Sequence, residues 1–519
     1  MNVPYCLRRA ERFHGNNVAI YHEDAKITYR ELASQVACSA RKLIEAGARK
    51  SDRVALLMLN SPEYLDFYFS VPLTGALLVP LNTRWHRNEF VFTLADSGSK
   101  ILLVDDHFKE LVPQIRESLP QLETYIYVGE GACPAGLVDW RDIQPGRGAA
   151  GAQFAEADED DIAGLFYTSG TTGGPKGAML THRNLYSNAI HGMLPPVVVT
   201  SDTIYLHAAP MFHLADAGAV YGLTLVGAAH CFIPTFDPEA TLRAIERYRV
   251  NRTVLVPAML NMVLNHPNFA RYDLSCLDRV TYGASPMPLP LLRHAMGALP
   301  NCQFYQGYGM TELSPLATVL LPEDHRFEDV ERAFAPVKSA GRPVMGVEVR
   351  VVDAQDRDVP VGQAGEVIAR GPNVMKGYWK RPEINAEVLR GGWMHTGDIG
   401  AFDEEGFLYL LDRQKDMIKT GSENVYSPEV ESTVCAHPAV LEAAVIGVPD
   451  EQWGETVRAV VAVRPGATLT ESELIEWCRG RLTHFKCPTS VVFAESLPKG
   501  GTGKIQKTTL RELYGAARG

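Results

Sequence analysis

The stretch GLFYTSGTTGGPKG, Gly164–Gly177, decides how the chain is read. Leu165, Phe166 and Tyr167 form an apolar burst, and Thr168, Ser169, Gly170, Thr171, Thr172 and Gly173 follow it directly. That order predicts a buried strand running into a loop. Glycines accept positive φ, so successive N–H groups can turn toward one point, and the Ser and Thr hydroxyls add donors. Lys176 adds a point charge. The loop therefore suits an anion such as a phosphate, and a plain surface turn is the weaker alternative. It is not a G-x-x-x-x-G-K-[ST] loop, because Pro175 precedes the lysine and Gly177 follows it. The tail KGGTGKIQK fails the same pattern, since Ile505 follows Lys504.

Working outward, the strand-then-loop texture recurs. RVALLML (Arg53–Leu59) and KILLVDD (Lys100–Asp106) read as buried strands, and RVTYGAS and QFYQGYGMTE as strands entering loops. TYRELASQVACSARKLIEAG and HRNLYSNAIHGM have helical spacing. AGAVYGLTLVGAA (Ala217–Ala229) reads as a buried helix, too short to span a bilayer. Apolar strands alternating with helices predict an α/β fold of layered subdomains. Between about Gly341 and Gly406 the segments become short, alternating and glycine-punctuated, which predicts an antiparallel sheet or small β-barrel. After Asp412 about a hundred residues mix helices and strands, enough for a small α+β C-terminal domain with its own core. The expected division is an N-terminal domain 1–411 and a C-terminal domain 412–519.

Composition narrows the function. The 519 residues are 46% hydrophobic and carry a net charge of −11, with no Lys/Arg-rich run. Nucleic acid is excluded as the main partner, because backbone phosphates need clustered positive charge. Nine scattered cysteines contain no C-x-x-C pair, so neither a zinc site nor a disulfide framework is expected, and a reducing, cytoplasmic compartment fits. The N-terminus has no apolar h-region and no glycine after Met1.

Further motifs follow the loop in order: YGMTE (Tyr308–Glu312), GEVIARGPNVMKGYW (Gly365–Trp379), HTGDIG (His395–Gly400), DRQKDMIKTGSENVYSPEVE (Asp412–Glu431) and PKGGTGKIQK (Pro498–Lys507). With YTSGTTGGPKG they resemble the acyl-adenylate-forming superfamily across essentially the whole chain. That family includes acyl-CoA synthetases, peptide-synthetase adenylation domains and firefly luciferase. The resemblance implies ATP, Mg²⁺ and CoA, a mobile C-terminal domain, and an acid activated as acyl-AMP before a thiol takes the acyl group. Attack of one anion on another needs positive charge and donors in the site.

The same resemblance assigns roles. Thr168–Gly173 and Lys176 would hold phosphates. Glu312 would be the Mg²⁺ ligand and Thr311 a phosphate contact; the plain alternative is a helix start with Thr311 as N-cap. Gly283, Ala284 and Ser285 of YGASP would lie along the adenine, with Gln306, Gly307, Tyr308 and Gly309 completing the nucleotide site. Asp398 and Arg413 would take the ribose. Lys504 would be the catalytic lysine of adenylation, and Lys415 the hinge. Gly421 and Ser422 would line the thiol tunnel, where many relatives have a second glycine in place of Ser422. His213 of APMFHLAD, with Ser285, Gly307, Gly309 and Met310, would line the acid pocket; a satisfied core histidine is an even alternative for His213. The pocket candidates are small or apolar, so a hydrophobic monocarboxylic acid, fatty or aryl, is expected. Free CoA is the expected thiol, since no carrier-type segment is seen. Loading of a carrier protein, or a non-catalytic nucleotide-binding relative, are the alternatives. A homodimer is compatible with this reading, as is peripheral membrane contact if the acid is long-chain.

Overall fold

The computed structural model describes residues 1–145, 157–168, 175–193, 198–328, 330–332, 334–421, 423–499 and 505–516. The chain divides into two compact units: Met1–Val349 with Ala369–Met394, and Arg350–Ile368 with His395–Gly519. The expected boundary at 411/412 falls within the second unit, inside the strand Leu408–Arg413.

The first unit holds two sheets. In the nine-stranded sheet, Gln303–Gly309, Arg279–Gly283, Arg252–Val254, Ile204–His207, Ala229–Phe232 and Val18–His22 run parallel in that spatial order. Antiparallel strands close both edges: Leu316–Leu320 and Arg342–Pro343 on one side, Ala25–Thr28 on the other. The eight-stranded sheet has a parallel centre around Arg53–Leu57, Leu77–Pro80 and Ile101–Val104. The strands Leu77–Pro80, Ile101–Val104 and Ala229–Phe232 are buried at every residue, which is why they read as unbroken apolar runs.

The helices form where caps and spacing direct them. Thr28 and Glu31 make a capping box at the start of Tyr29–Glu45, whose buried positions include Leu32, Val36, Ala40 and Leu43. The apolar segment near residue 220 is the helix Leu214–Val226, and Gly227 ends it at φ 75°. A Cβ on Gly227 would sit 2.3 Å from the His14 ring, so the helix stops there and the last expected residue, Ala229, begins a strand.

The short segments expected near residues 341–406 make a four-stranded sheet, with Met394–Phe402 and Leu408–Arg413 antiparallel. In the second unit Gly454–Val463 is the central strand of a five-stranded sheet. It pairs with Val440–Asp450, Ile418–Thr420 and Ser490–Phe493. Helices Ser427–Cys435, Glu471–Arg479 and Lys507–Tyr514 complete the expected α+β body. Val445, Val457 and Val461 belong to one core cluster and Ile446, Val448 and Val460 to another, so the sheet is buried on both faces. All nine cysteines are free. Among the described residues no helix is long and apolar enough to cross a membrane.

Candidate active site

In the first unit the candidates sit at carboxyl ends of parallel strands, where open α/β sheets present their ligand sites. Gly283 ends one strand and pairs in register with Gly307 of the next. A Cβ on Gly283 would lie 2.2 Å from the Gly307 carbonyl oxygen, so only glycine permits this approach. Ala284 follows at φ 63°, exposed, and Ser285 is half-buried. Gln306, Gly307 and Gly309 are half-buried while Tyr308 is buried, paired with Thr318. The structure thus brings 283–285 beside 306–309.

Met310, Thr311 and Glu312 follow Gly309 directly. Thr311–Leu313 is a single 3₁₀ turn flanked by Met310, with no side-chain cap, so Thr311 is not a helix N-cap. Glu312 is only 4% exposed. Its carbonyl accepts from the Met375 N–H at 2.8 Å. Asn373 Nδ2 donates to the carbonyls of Leu313 and Leu316 at 2.8 and 3.1 Å, and Asn188 Nδ2 reaches the same two oxygens at 3.4 and 3.2 Å. The Glu312 carboxylate accepts from the Tyr378 hydroxyl at Oε1, 2.6 Å away. Oε2 makes no hydrogen bond among the described residues.

The opening loop joins two antiparallel strands, Ile162–Thr168 and Lys176–Thr181, with Thr168 and Lys176 paired at its mouth. Ser169, Gly170, Thr171, Thr172 and Gly173 lie outside the described residues. Tyr167 packs flat over Gly177, where a Cβ would be 2.9 Å from the ring, and its hydroxyl donates to Asp96 at 2.7 Å. Burial and Asp96 together push the Tyr167 phenol well above its usual range. The Lys176 ammonium lies 5.6 Å from the centre of the Tyr378 ring and makes no ion pair among the described residues.

His213 precedes the helix Leu214–Val226, half-buried, its ring 4.4 Å from Phe212. That helix packs on the Glu312 segment, since a Cβ on Gly218 would lie 2.8 Å from Pro315. Sequence reading missed what anchors the helix. Asp216 meets His207 at 2.5 Å, His207 meets His230 at 3.0 Å, and His230 meets Thr224 at 3.2 Å, all fully buried. Burial, then His207, holds His230 well below the ordinary imidazole range, so it is neutral. His207 and His230 are thus fully buried core histidines, whereas His213 is half-buried. No periodicity could have shown this, because the chain of contacts spans two strands and a helix.

In the second unit Asp398 and Arg413 pair across adjacent antiparallel strands, with Arg413 Nε 2.5 Å from Asp398 Oδ1. The two residues expected at one ribose are thus neighbours, though their ion pair was not legible in the sequence. The Lys415 ammonium is held below the usual lysine range, first by desolvation and then by Arg413, Arg511 and Lys507, against Asp416. Arg511 reaches the Lys415 carbonyl at 3.4 Å and the Asp416 carboxylate at 2.8 Å. Gly421 stands at φ 62° against the Trp453 ring, and Ser422 lies outside the described residues. Lys504 does too; Lys499 and Ile505 on either side of it form a bridge.

Among the described residues no three His, Cys, Asp or Glu side chains cluster as a metal cage. A buried carboxylate with one oxygen uncommitted among the described residues fits Mg²⁺ arriving with nucleotide phosphates, since that ion keeps only one or two protein carboxylates.

Comparison with known proteins shows the family. Residues 6–379 match the family model of AMP-binding enzymes, and residues 429–504 that of the AMP-binding enzyme C-terminal domain. The chain is 40% identical over 513 residues to a feruloyl-CoA synthase of an Amycolatopsis species, covering 98% of each. It is 37% identical over 500 residues to the long-chain-fatty-acid–CoA ligase FadD13 of Mycobacterium tuberculosis, covering 95% of this chain and 94% of that one. Among solved structures it is similar to ATP-bound MatB from Rhodopseudomonas palustris, with 32% identity, a TM-score of 0.87 and 99% of each chain covered.

Proposed function

Because the chain belongs to the family of AMP-binding enzymes, we propose that it is an AMP-forming acid–CoA ligase acting on a hydrophobic monocarboxylic acid, fatty or aryl. The observation that carries this reading is the meeting of Lys176 and Glu312 around Tyr378, just past the strand that ends at Gly309. The feruloyl-CoA synthase and the long-chain-fatty-acid–CoA ligase support it, since both names denote thioester formation from hydrophobic acids.

The reaction has two steps. A substrate carboxylate oxygen bonds to the α-phosphorus of ATP, the bond to the β-phosphate oxygen breaks, and pyrophosphate leaves. The sulfur of CoA then bonds to the acyl carbonyl carbon, AMP leaves, and the thiol proton goes to solvent. Lys176 supplies positive charge to the phosphates, and Thr311 a hydroxyl. The segment Gly283–Ser285 offers a flat, small-residue bed for the adenine, with Gln306, Gly307, Tyr308 and Gly309 beside it. Glu312 would hold Mg²⁺, which when bound offsets phosphate charge. Asp398, with Arg413, takes the ribose hydroxyls. Lys504 neutralises the approach of the two anions during adenylation. Residues 412–519 form the moving body, with Lys415 as hinge and Gly421 and Ser422 along the thiol path. His213, Ser285, Gly307, Gly309 and Met310 face the acid.

The nine free cysteines support a reducing, cytoplasmic setting. The same reading extends to a homodimer and, for a long-chain acid, to peripheral membrane contact; light scattering and vesicle sedimentation read these directly. The decisive experiment measures pyrophosphate release with ATP and Mg²⁺ across fatty and aryl acids, with and without CoA. Release with a subset of acids, and thioester only when CoA is present, is the expected result. Release without thioester would redirect the second step to another acceptor, and no release with any acid would sink the proposal.

A further inference from the structure

We propose that Tyr378 is the positioning residue that couples the phosphate-loop lysine, Lys176, to the metal-binding carboxylate, Glu312, an inference that rests on the ATP-dependent reading above. Its ring faces the Lys176 ammonium at 5.6 Å, and its hydroxyl donates to Glu312 Oε1 at 2.6 Å.

The backbone of Tyr378 is held from both sides. Gly377 and Tyr378 pair with Met179 and Ala178 of the strand that begins at Lys176, and the Trp379 N–H donates to the Gly177 carbonyl at 2.8 Å. On the opposite edge the side-chain amide of Asn385 acts as a further strand: it accepts from the Tyr378 N–H at 2.6 Å and donates to the Tyr378 carbonyl at 2.9 Å. The next residues tie this segment to the other arm of the phosphate hairpin. Arg381 and Tyr167 both bond the Asp96 carboxylate, at 2.8 and 2.7 Å, and Trp379 Nε1 and Lys380 Nζ reach the Asp96 carbonyl. Gly377–Arg381 thus braces both strands that bracket the loop.

Tyr378 is 7% exposed, so these contacts with Lys176 and Glu312 are made largely out of water. A phenol is suited to this place because it satisfies two opposite charges without being charged. Its π-face attracts an ammonium, and its hydroxyl donates to a carboxylate. A direct Lys176–Glu312 salt bridge would neutralise both groups and leave neither for phosphate or cation. Tyr378 holds them near one another but apart. It also engages only Oε1 of Glu312, which leaves Oε2 to a cation. Groups that orient a metal ligand in this way typically change metal affinity about 10–100-fold when removed.

The test uses the full-length protein without acid substrate. Binding of a fluorescent ATP analogue is titrated with Mg²⁺, and Mg²⁺-independent AMP binding serves as the control for a merely structural effect. Tyr378→Phe keeps the ring and loses the donor. The Mg²⁺ concentration for half-maximal ATP binding should rise by about tenfold, with AMP binding changed less than about twofold. Tyr378→Leu should weaken ATP binding further, because the Lys176 contact is lost as well. In a Glu312→Gln background, Tyr378→Phe should add nothing to the Mg²⁺ dependence. Unchanged Mg²⁺ dependence in Tyr378→Phe, an equal loss of ATP and AMP binding, or full additivity with Glu312→Gln would each overturn the coupling. If the wild type itself binds no ATP, the functional reading has failed, and the coupling falls with it.

Discussion

Lys176 and Lys504 are the two lysines assigned to the phosphates, and they come from different physical situations. Lys176 begins a strand and is braced by pairing with Thr168 and by the ring of Tyr378. Lys504 belongs to the glycine-bearing stretch PKGGTGKIQK, and its assignment comes from that motif. Lys504→Ala should lower pyrophosphate release by about a hundredfold or more, the usual scale for removing one group aimed at developing charge. Transfer of the acyl group from preformed acyl-AMP to CoA should stay within a few-fold of wild type. Single-turnover assays of the two half-reactions check this. Equal loss in both, or in neither, would remove Lys504 from its assigned role. Lys504 is singled out only by its neighbours in the chain, which carry the motif. Tyr378 was quoted in a motif too, but nothing local marks it as the partner of Glu312, 66 residues away in sequence.

At the scale of elements, the Thr311–Leu313 turn is the piece that most needs support. It carries the buried Glu312 yet has only one 3₁₀ turn and no cap of its own. Its Leu313 carbonyl, and the Leu316 carbonyl just beyond it, are held from outside by Asn188, on the helix His182–His191, and by Asn373, on the segment before Gly377. Asn373→Ala removes two hydrogen bonds to buried carbonyls and leaves only the longer ones from Asn188. Each buried acceptor left short of a donor costs about 1–3 kcal/mol. The variant should melt a few degrees lower and bind MgATP more weakly, by scanning calorimetry and nucleotide titration. An unchanged melting temperature would show that the turn does not depend on Asn373. The elements themselves were well read: apolar runs became buried strands, and caps and spacing set the helices. The asparagines were not readable: Asn373 in a glycine-bearing stretch looks like turn chemistry, and Asn188 is one more polar residue of a helix, until their shared partners are known.

At the scale of the whole molecule, the core contains a carboxyl group that makes no ion pair among the described residues. Asp66, on the buried helix Pro62–Leu73, accepts from Ser39 at 3.0 Å, and burial pushes its carboxyl up to about 7. A raised folded-state value means that the folded protein holds this proton more tightly than the unfolded chain, where an Asp titrates near about 3.9. The stabilising effect of the proton is complete below that value, falls as pH rises, and is gone above about 7. Asp66→Asn keeps the shape and removes the titration. It should gain on the wild type between pH 5 and pH 8 by roughly 2–4 kcal/mol, since each tenfold difference in proton affinity between the folded and unfolded states is worth about 1.4 kcal/mol. Melting curves at several pH values check this, and a constant gap between the two proteins would show that Asp66 keeps an ordinary carboxylate value.

The sequence by itself determined the layered α/β class, the small α+β body, the order of the motifs and hence the family. These are properties of neighbouring residues: periodicity decides which face is buried, and a motif is a contiguous run. Tertiary structure alone decided which charges share a neighbour. Parallel and antiparallel pairing set Tyr378 beside Ala178, Asp398 across from Arg413, and His207 beside His230 at the root of the helix that follows His213. Such meetings depend on which strand lies next to which. That order is selected by the burial of whole sheets, not by any residue that takes part in the contact.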